Sequence, residues 1–299
     1  MRHAGTGRES SLMGHARTLL KKKKYRQARE KFKAIYKLNG SDLEALYALS
    51  SVNMVLGDYR DAEKYCKKLA VLQPDSAAVQ YNLAIAYKAQ GKIDQAISSY
   101  KRALQLNCNF IEAYVNLAMA LLDAGQLDEA ETYLRLALKY DPEKPQIYYN
   151  LGIIYEGQKR IREAEDSFRR ALQIRREYAD AMALLGQLLE KQHRIEECQS
   201  LADKALVLDP GHIQANILYA RLDRRSGNLE RARARLMALL LDDAHCSDEP
   251  DLRFELGLVL DRLGEYREAY RNFSAAQSAA ANMASHRFKL DDISSRLRK

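Results

Sequence analysis

Tryptophan is absent from this chain, and cysteine and proline are scarce, with four and five residues among 299. Cys66, Cys108, Cys198 and Cys246 share no regular spacing, which excludes a disulfide framework and a CxxC-type zinc site. His193 with Cys198, and His245 beside Cys246, are isolated pairs and fall short of a ligand set. The acidic stretch 242–250, with Asp243, Asp248 and Glu249, lacks alternating oxygen ligands and reads as an ordinary insertion rather than a calcium loop. No metal or other cofactor is expected. Long apolar runs are also missing. Ser11–Leu20 is interrupted by Gly14, His15 and Arg17, so it makes no signal-peptide core. No stretch reaches the ~18 apolar residues of a membrane span, and the expected location is the cytoplasm.

Catalytic signatures are absent too. There is no Gly-rich phosphate loop, no His-Glu-x-x-His and no nucleophile elbow. The protein is therefore expected not to be an enzyme. Basic residues exceed acidic ones, 48 to 40, giving a formal charge of +8. Residues 1–24 carry +6 of this and residues 285–299 carry +3, so the body between them is near neutral at −1. No basic segment has interleaved aromatics, which argues against nucleic-acid binding by stacking. The run Lys21–Lys24 reads as a solvated helix end.

What the chain has is a period. Alanine recurs every 34 residues at Ala28, Ala62, Ala96, Ala130 and Ala164, and again at Ala232 after Cys198. A 34-residue step marks a helix–turn–helix unit stacked in series. Repeats beginning eight positions before a small residue start at Glu9, Leu43, Ala77, Ile111, Pro145, Ala179 and Ile213, with an eighth at Pro250. Position 8 is always small: Ala16, Ser50, Ala84, Ala118, Gly152, Gly186, Ala220 and Gly257. Position 20 is alanine except at Cys198. Facing small residues let two helices approach closely, and a larger side chain there overpacks. A turn slot between them holds Gly57, Gly91, Gly125, Gly227 and Gly264, and elsewhere Lys23, Lys159 and His193. Glycine suits the left-handed residue that closes a helix. Pro74, Pro142 and Pro210 fall between repeats, and Pro145 and Pro250 at first positions, where a helix tolerates a missing N–H.

Asn82-Leu83-Ala84, then Tyr87, Gly91, Ala96, Tyr100 and Ala103, resemble the tetratricopeptide repeat (TPR), as do Tyr148–Gly152 through Ala171. The resemblance implies an all-α, right-handed superhelical solenoid of about eight repeats (9–42, 43–76, 77–110, 111–144, 145–178, 179–212, 213–246 and 250–283). A tail at 1–8 and a capping helix at 284–299 complete one elongated domain. It also implies a non-catalytic scaffold or adaptor that binds a peptide segment of a protein partner in a concave groove lined by the first helices. On those helices Tyr47, Tyr81, Ile85, Met119, Tyr149 and Ile153 form an apolar strip, with Arg17 and Lys21 at one end and Arg221, Arg224 and Arg225 at the other. At position 6, Asn82, Asn116 and Asn150 stand 34 apart, and an amide presents the donor and acceptor that complement a peptide unit. This resembles the asparagine ladder of the TPR arm of O-linked N-acetylglucosamine transferases, although only three of eight rungs are asparagine.

Position 5 nowhere holds the lysine of chaperone-tail clamps, so that mode of binding is not expected. The stretch Ala220–Gly227, with Phe254–Gly257 and Tyr266–Tyr270, looks like the TPR half of bacterial TPR–sulfotransferases. That likeness suggests as an alternative a substrate-recognition arm for a sulfotransferase or glycosyltransferase acting in trans, since no phosphosulfate-binding loop is present. A second alternative is a self-assembling scaffold, a homo-oligomer whose groove receives another copy's terminal helix.

Overall fold

A computed structural model describes residues 3–242 and 249–282. Sixteen α-helices and no strand occur among these residues, an all-α repeat solenoid. The helices fall into eight hairpins that match the eight expected repeats. The chain divides into two compact units, 1–142 and 143–299, where the sequence suggested a single body.

Unit 1 contains α1 (His3–Lys21), α2 (Tyr25–Leu38), α3 (Leu43–Val55), α4 (Tyr59–Leu72), α5 (Ala77–Lys88), α6 (Ile93–Leu106), α7 (Ile111–Asp123) and α8 (Leu127–Tyr140). Helix α1 begins at His3, so most of the expected tail 1–8 is helical. Each helix packs on the next along the chain. Asp42 and Ser76 cap α3 and α5 by accepting backbone N–H bonds from Ala45 and Val79, the usual way of satisfying orphan donors at a helix start. Ala16, Ala28, Phe32, Ile35, Leu46, Leu49 and Leu69 join one apolar cluster across the first two hairpins.

Unit 2 contains α9 (Pro145–Gly157), α10 (Ile161–Ile174), α11 (Ala179–Lys191), α12 (Ile195–Leu208), α13 (Ile213–Arg225), α14 (Leu229–Asp242), α15 (Pro250–Arg262) and α16 (Tyr266–Asn282). Pro145 and Pro250 open α9 and α15 as expected. The first helices α11, α13 and α15 also touch one another in series. The expected capping helix 284–299, and residues 243–248 with His245 and Cys246, lie outside the described residues.

The small slots behave as the period requires. Every residue at position 20 is buried, Cys198 included. At Gly152 and Gly257 an added Cβ would fall 2.5 Å from a ring carbon of Phe168 and Phe273, the position-24 residues of the same repeats. All eight turn-slot residues have positive φ, including Lys23 (55°), Lys159 (61°) and His193 (61°). A left-handed residue with a side chain costs roughly 1–2 kcal/mol, so three turns hold this geometry against local preference.

Candidate functional site

In unit 1 the first helices α3, α5 and α7 each carry positions 5 and 9, i and i+4, on one face, with position 6 turned about 100° to its side. Tyr47, Tyr81, Asn82, Ile85, Val115, Asn116 and Met119 are all half-buried there. The Tyr47 hydroxyl bonds the Gln73 Oε1 at 2.6 Å. The Tyr81 ring lies against Tyr100 and Phe110, with centroids 5.9 and 4.7 Å away. Its hydroxyl accepts a bond from the Asn116 Nδ2 at 2.7 Å. Burial, helped by the Glu112 charge, raises the Tyr81 pKa, so the group stays protonated. Tyr81 thus packs its own repeat and orients the amide of the next. Asn82 makes no side-chain hydrogen bond to the described residues.

In unit 2, α9 carries Tyr149, Asn150 and Ile153. Tyr149 repeats the Tyr81 arrangement against Phe168 and Tyr178, at 6.1 and 5.2 Å. Ile153 is half-buried, but Asn150 is 6% exposed and has little surface to offer.

The arginines at the basic ends are paired with carboxylates, while Lys21 is exposed. The Arg221 Nε lies 3.2 Å from a Glu255 oxygen, and the Arg224 Nε 2.6 Å from the other. Arg225 pairs with Glu190 at 2.7 Å and Arg231 with Asp223. Glu255 is 2% exposed. A carboxylate that deep is expensive unless paired and hydrogen-bonded, which is why the arginines turn inward. Arg221, expected at the ligand face, serves this network. Arg17 is likewise held by Glu44 in a two-point contact at 2.5 Å.

A further set of contacts joins successive repeats and is not apparent from the 34-residue period. Position 21 of a repeat meets position 16 of the next. Arg29 pairs with Asp58, Glu63 with Lys92 at 2.6 Å, Glu165 with Arg194 at 2.6 Å, and Arg233 with Glu265 at 2.6 Å. Ile97 with Gln126, and Gln199 with Asn228, occupy the same two slots without charge. The signal was a second spacing, 29 residues and 32 across the insertion before repeat eight, along which the charged pairs complement. Burial would raise the Glu63 pKa, but bonds from Lys67, Lys92 and Gln90 outweigh it and hold the carboxyl at about 2.

The described residues hold no group of three His, Cys, Asp or Glu suited to a metal. Burial pushes the Cys66 and Cys198 thiols up to about 11, far from thiolate reactivity at neutral pH. No helix among the described residues is long and apolar enough to cross a membrane. The face can make hydrogen bonds and apolar contacts, the means of recognition.

Known proteins bear on this arrangement. Models of the tetratricopeptide repeat match residues 13–77 and 109–177, and a TPR repeat model matches 86–125, together just over half of the chain. A TPR repeat-containing protein of Methanocaldococcus jannaschii is 30% identical over 81 residues, 27% of this chain. The match spans only 24% of that relative's length. Among solved structures, a tetratricopeptide repeat protein from Parabacteroides merdae superposes with TM-score 0.68 at 21% identity, over 85% of this chain and 97% of that one. A chain of the APC/C hetero-tetramer Cut9–Hcn1 gives 0.66 at 16% identity, over 92% and 54%. MamA from Desulfovibrio magneticus RS-1 gives 0.51 at 20% identity, over 56% and 96%. At these identities the structural likeness is one of fold.

Proposed function

Because the chain belongs to the tetratricopeptide repeat family, we propose that it is a non-catalytic scaffold that captures an extended peptide segment of a partner protein on the first-helix face of unit 1. The observation that carries this reading is the row of half-buried side chains on α5 and α7, with Tyr81, Asn82 and Ile85 beside Val115, Asn116 and Met119. Ile85 and Met119 supply apolar contact, and Met adapts to varied partners. Asn82, with the second N–H and the carbonyl of Asn116, bonds a peptide backbone without reading its side chains. In unit 2, Tyr149 and Ile153 extend the same chemistry. Asn150 and Arg221 are left to structural work.

The test is a pull-down from extract of the source cells, with wild type beside an Asn82→Ala/Asn116→Ala/Met119→Glu variant and quantitative mass spectrometry of what is retained. Proteins lost from the variant identify the partner and support the reading. Identical retention by both baits overturns it.

A further inference from the structure

The second helices of repeats five and six frame a cleft of about 590 Å³ on a different face of unit 2. One wall is Arg169, Leu172, Gln173 and Arg176 of α10. The other is Glu197, Ser200, Leu201 and Lys204 of α12. Both walls follow the spacing i, i+3, i+4, i+7, a single stripe along a helix. Leu185 and Leu189 of α11 form the floor, with Leu172 and Leu201 half-buried above it. The charges are unevenly distributed. Arg169 is engaged by Glu165 and Glu197. Arg176 and Lys204 are exposed and make no ion pair with the described residues, and they stand at the C-terminal ends of the two walls.

We propose that this cleft docks an acidic amphipathic helix of a protein partner. Two parallel ridges over an apolar floor accept a third helix by ridge-into-groove packing. A wall of eight residues, seven steps along the helix, spans ~10 Å, about two turns. The occupant therefore presents leucine-like residues at i, i+3 or i+4, and i+7, with carboxylates facing Arg176 and Lys204. Its own C-terminus, the negative end of the helix dipole, points toward those two cations, so it runs parallel to α10 and α12. The site shares no residue with the peptide face of unit 1, and the two readings stand or fall separately.

Fluorescence anisotropy on the intact chain tests it with two labelled 16-residue helical probes that share leucines at this spacing. One carries glutamates at the remaining positions and the other carries lysines. The acidic probe should bind at least about tenfold more tightly than the basic one, as complementary potentials require. Arg176→Glu/Lys204→Glu should remove that preference. Ser200→Trp, which fills the cleft, should weaken binding about tenfold (~1.4 kcal/mol) without a change in melting temperature. Asn82→Ala/Asn116→Ala should leave probe binding unchanged. Equal binding of both probes, indifference to both cleft variants, or loss only in the asparagine variant would overturn the proposal. So would dodecanoate binding at a cleft that rejects the acidic probe, since that marks an acyl-chain site.

Discussion

In unit 1 the first-helix slots hold tyrosine, asparagine and aliphatic side chains that remain partly open, with Asn82 free of internal bonds. In the last three repeats of unit 2 the same helices hold Glu190, Asp223 and Glu255, each buried and each answered by arginine. Glu255 shares position 6 with Asn82, Asn116 and Asn150, whereas Asp223 and Glu190 lie at positions 11 and 12 of their repeats. Unit 1 also ties its first helices together, through Arg17–Glu44 and Lys88–Asp123, but Asn82 at position 6 stays out of any such pair, whereas Glu255 at position 6 in unit 2 is the centre of one. A shared repeat frame therefore does not give every first-helix residue the same surroundings, as the pairing of Arg221 with the buried Glu255 shows.

The contrast is broken most forcefully at Glu255. Glu255→Ala leaves Arg221 and Arg224 without their buried partner, and removing one side of such a pair typically costs about 3–5 kcal/mol. Urea denaturation followed by circular dichroism reads this directly. A smaller loss is expected from Gly152→Ala, whose Cβ meets Phe168 at 2.5 Å. Overpacking of this kind costs about 1–3 kcal/mol, and adding Phe168→Leu should restore most of it.

Acid titration sharpens the contrast from the side of unit 1. The Glu63 carboxyl is lowered from 4.5 to about 2 by Lys67, Lys92 and Gln90. Its contribution to stability is therefore complete above the unfolded value and disappears as pH falls from about 4.5 towards 2. Lys92→Met should move the acid-unfolding midpoint of thermal melts upward in pH. An unchanged midpoint would show that the clasp between repeats two and three is idle. The smallest change expected is a gain. Lys159→Gly or His193→Gly relieves a left-handed side chain but adds chain entropy to the unfolded state, for a net stabilisation of about 0.5–1 kcal/mol in melting experiments.

The helical hairpins were legible because they depend on residue size and backbone sign, which recur at one period. The alanine slot, the left-handed turn and the two opening prolines all lie where that period puts them. Cys198 and His193 fit those slots despite breaking the pattern, since cysteine is small enough to pack and histidine tolerates positive φ at a cost. The polar contacts were less legible. Glu255 and Arg221 occupy positions 6 and 9 of successive repeats, and nothing in a single repeat says that one reaches the other. Asn82, Asn116 and Asn150 look identical in sequence, yet Asn150 is buried and Asn116 is partly engaged by Tyr81. Those differences arise from neighbouring side chains rather than from position in the repeat.

Position 6 contains the whole comparison in one slot, so the most direct measurement is the unfolding free energy of Asn82→Ala beside Glu255→Ala under the same conditions. The expected change is within about 0.5 kcal/mol at Asn82, as for a surface substitution, with a loss several times larger at Glu255. A large loss at Asn82, or indifference at Glu255, would contradict the division between a position-6 residue with no internal partner and one that holds the fold.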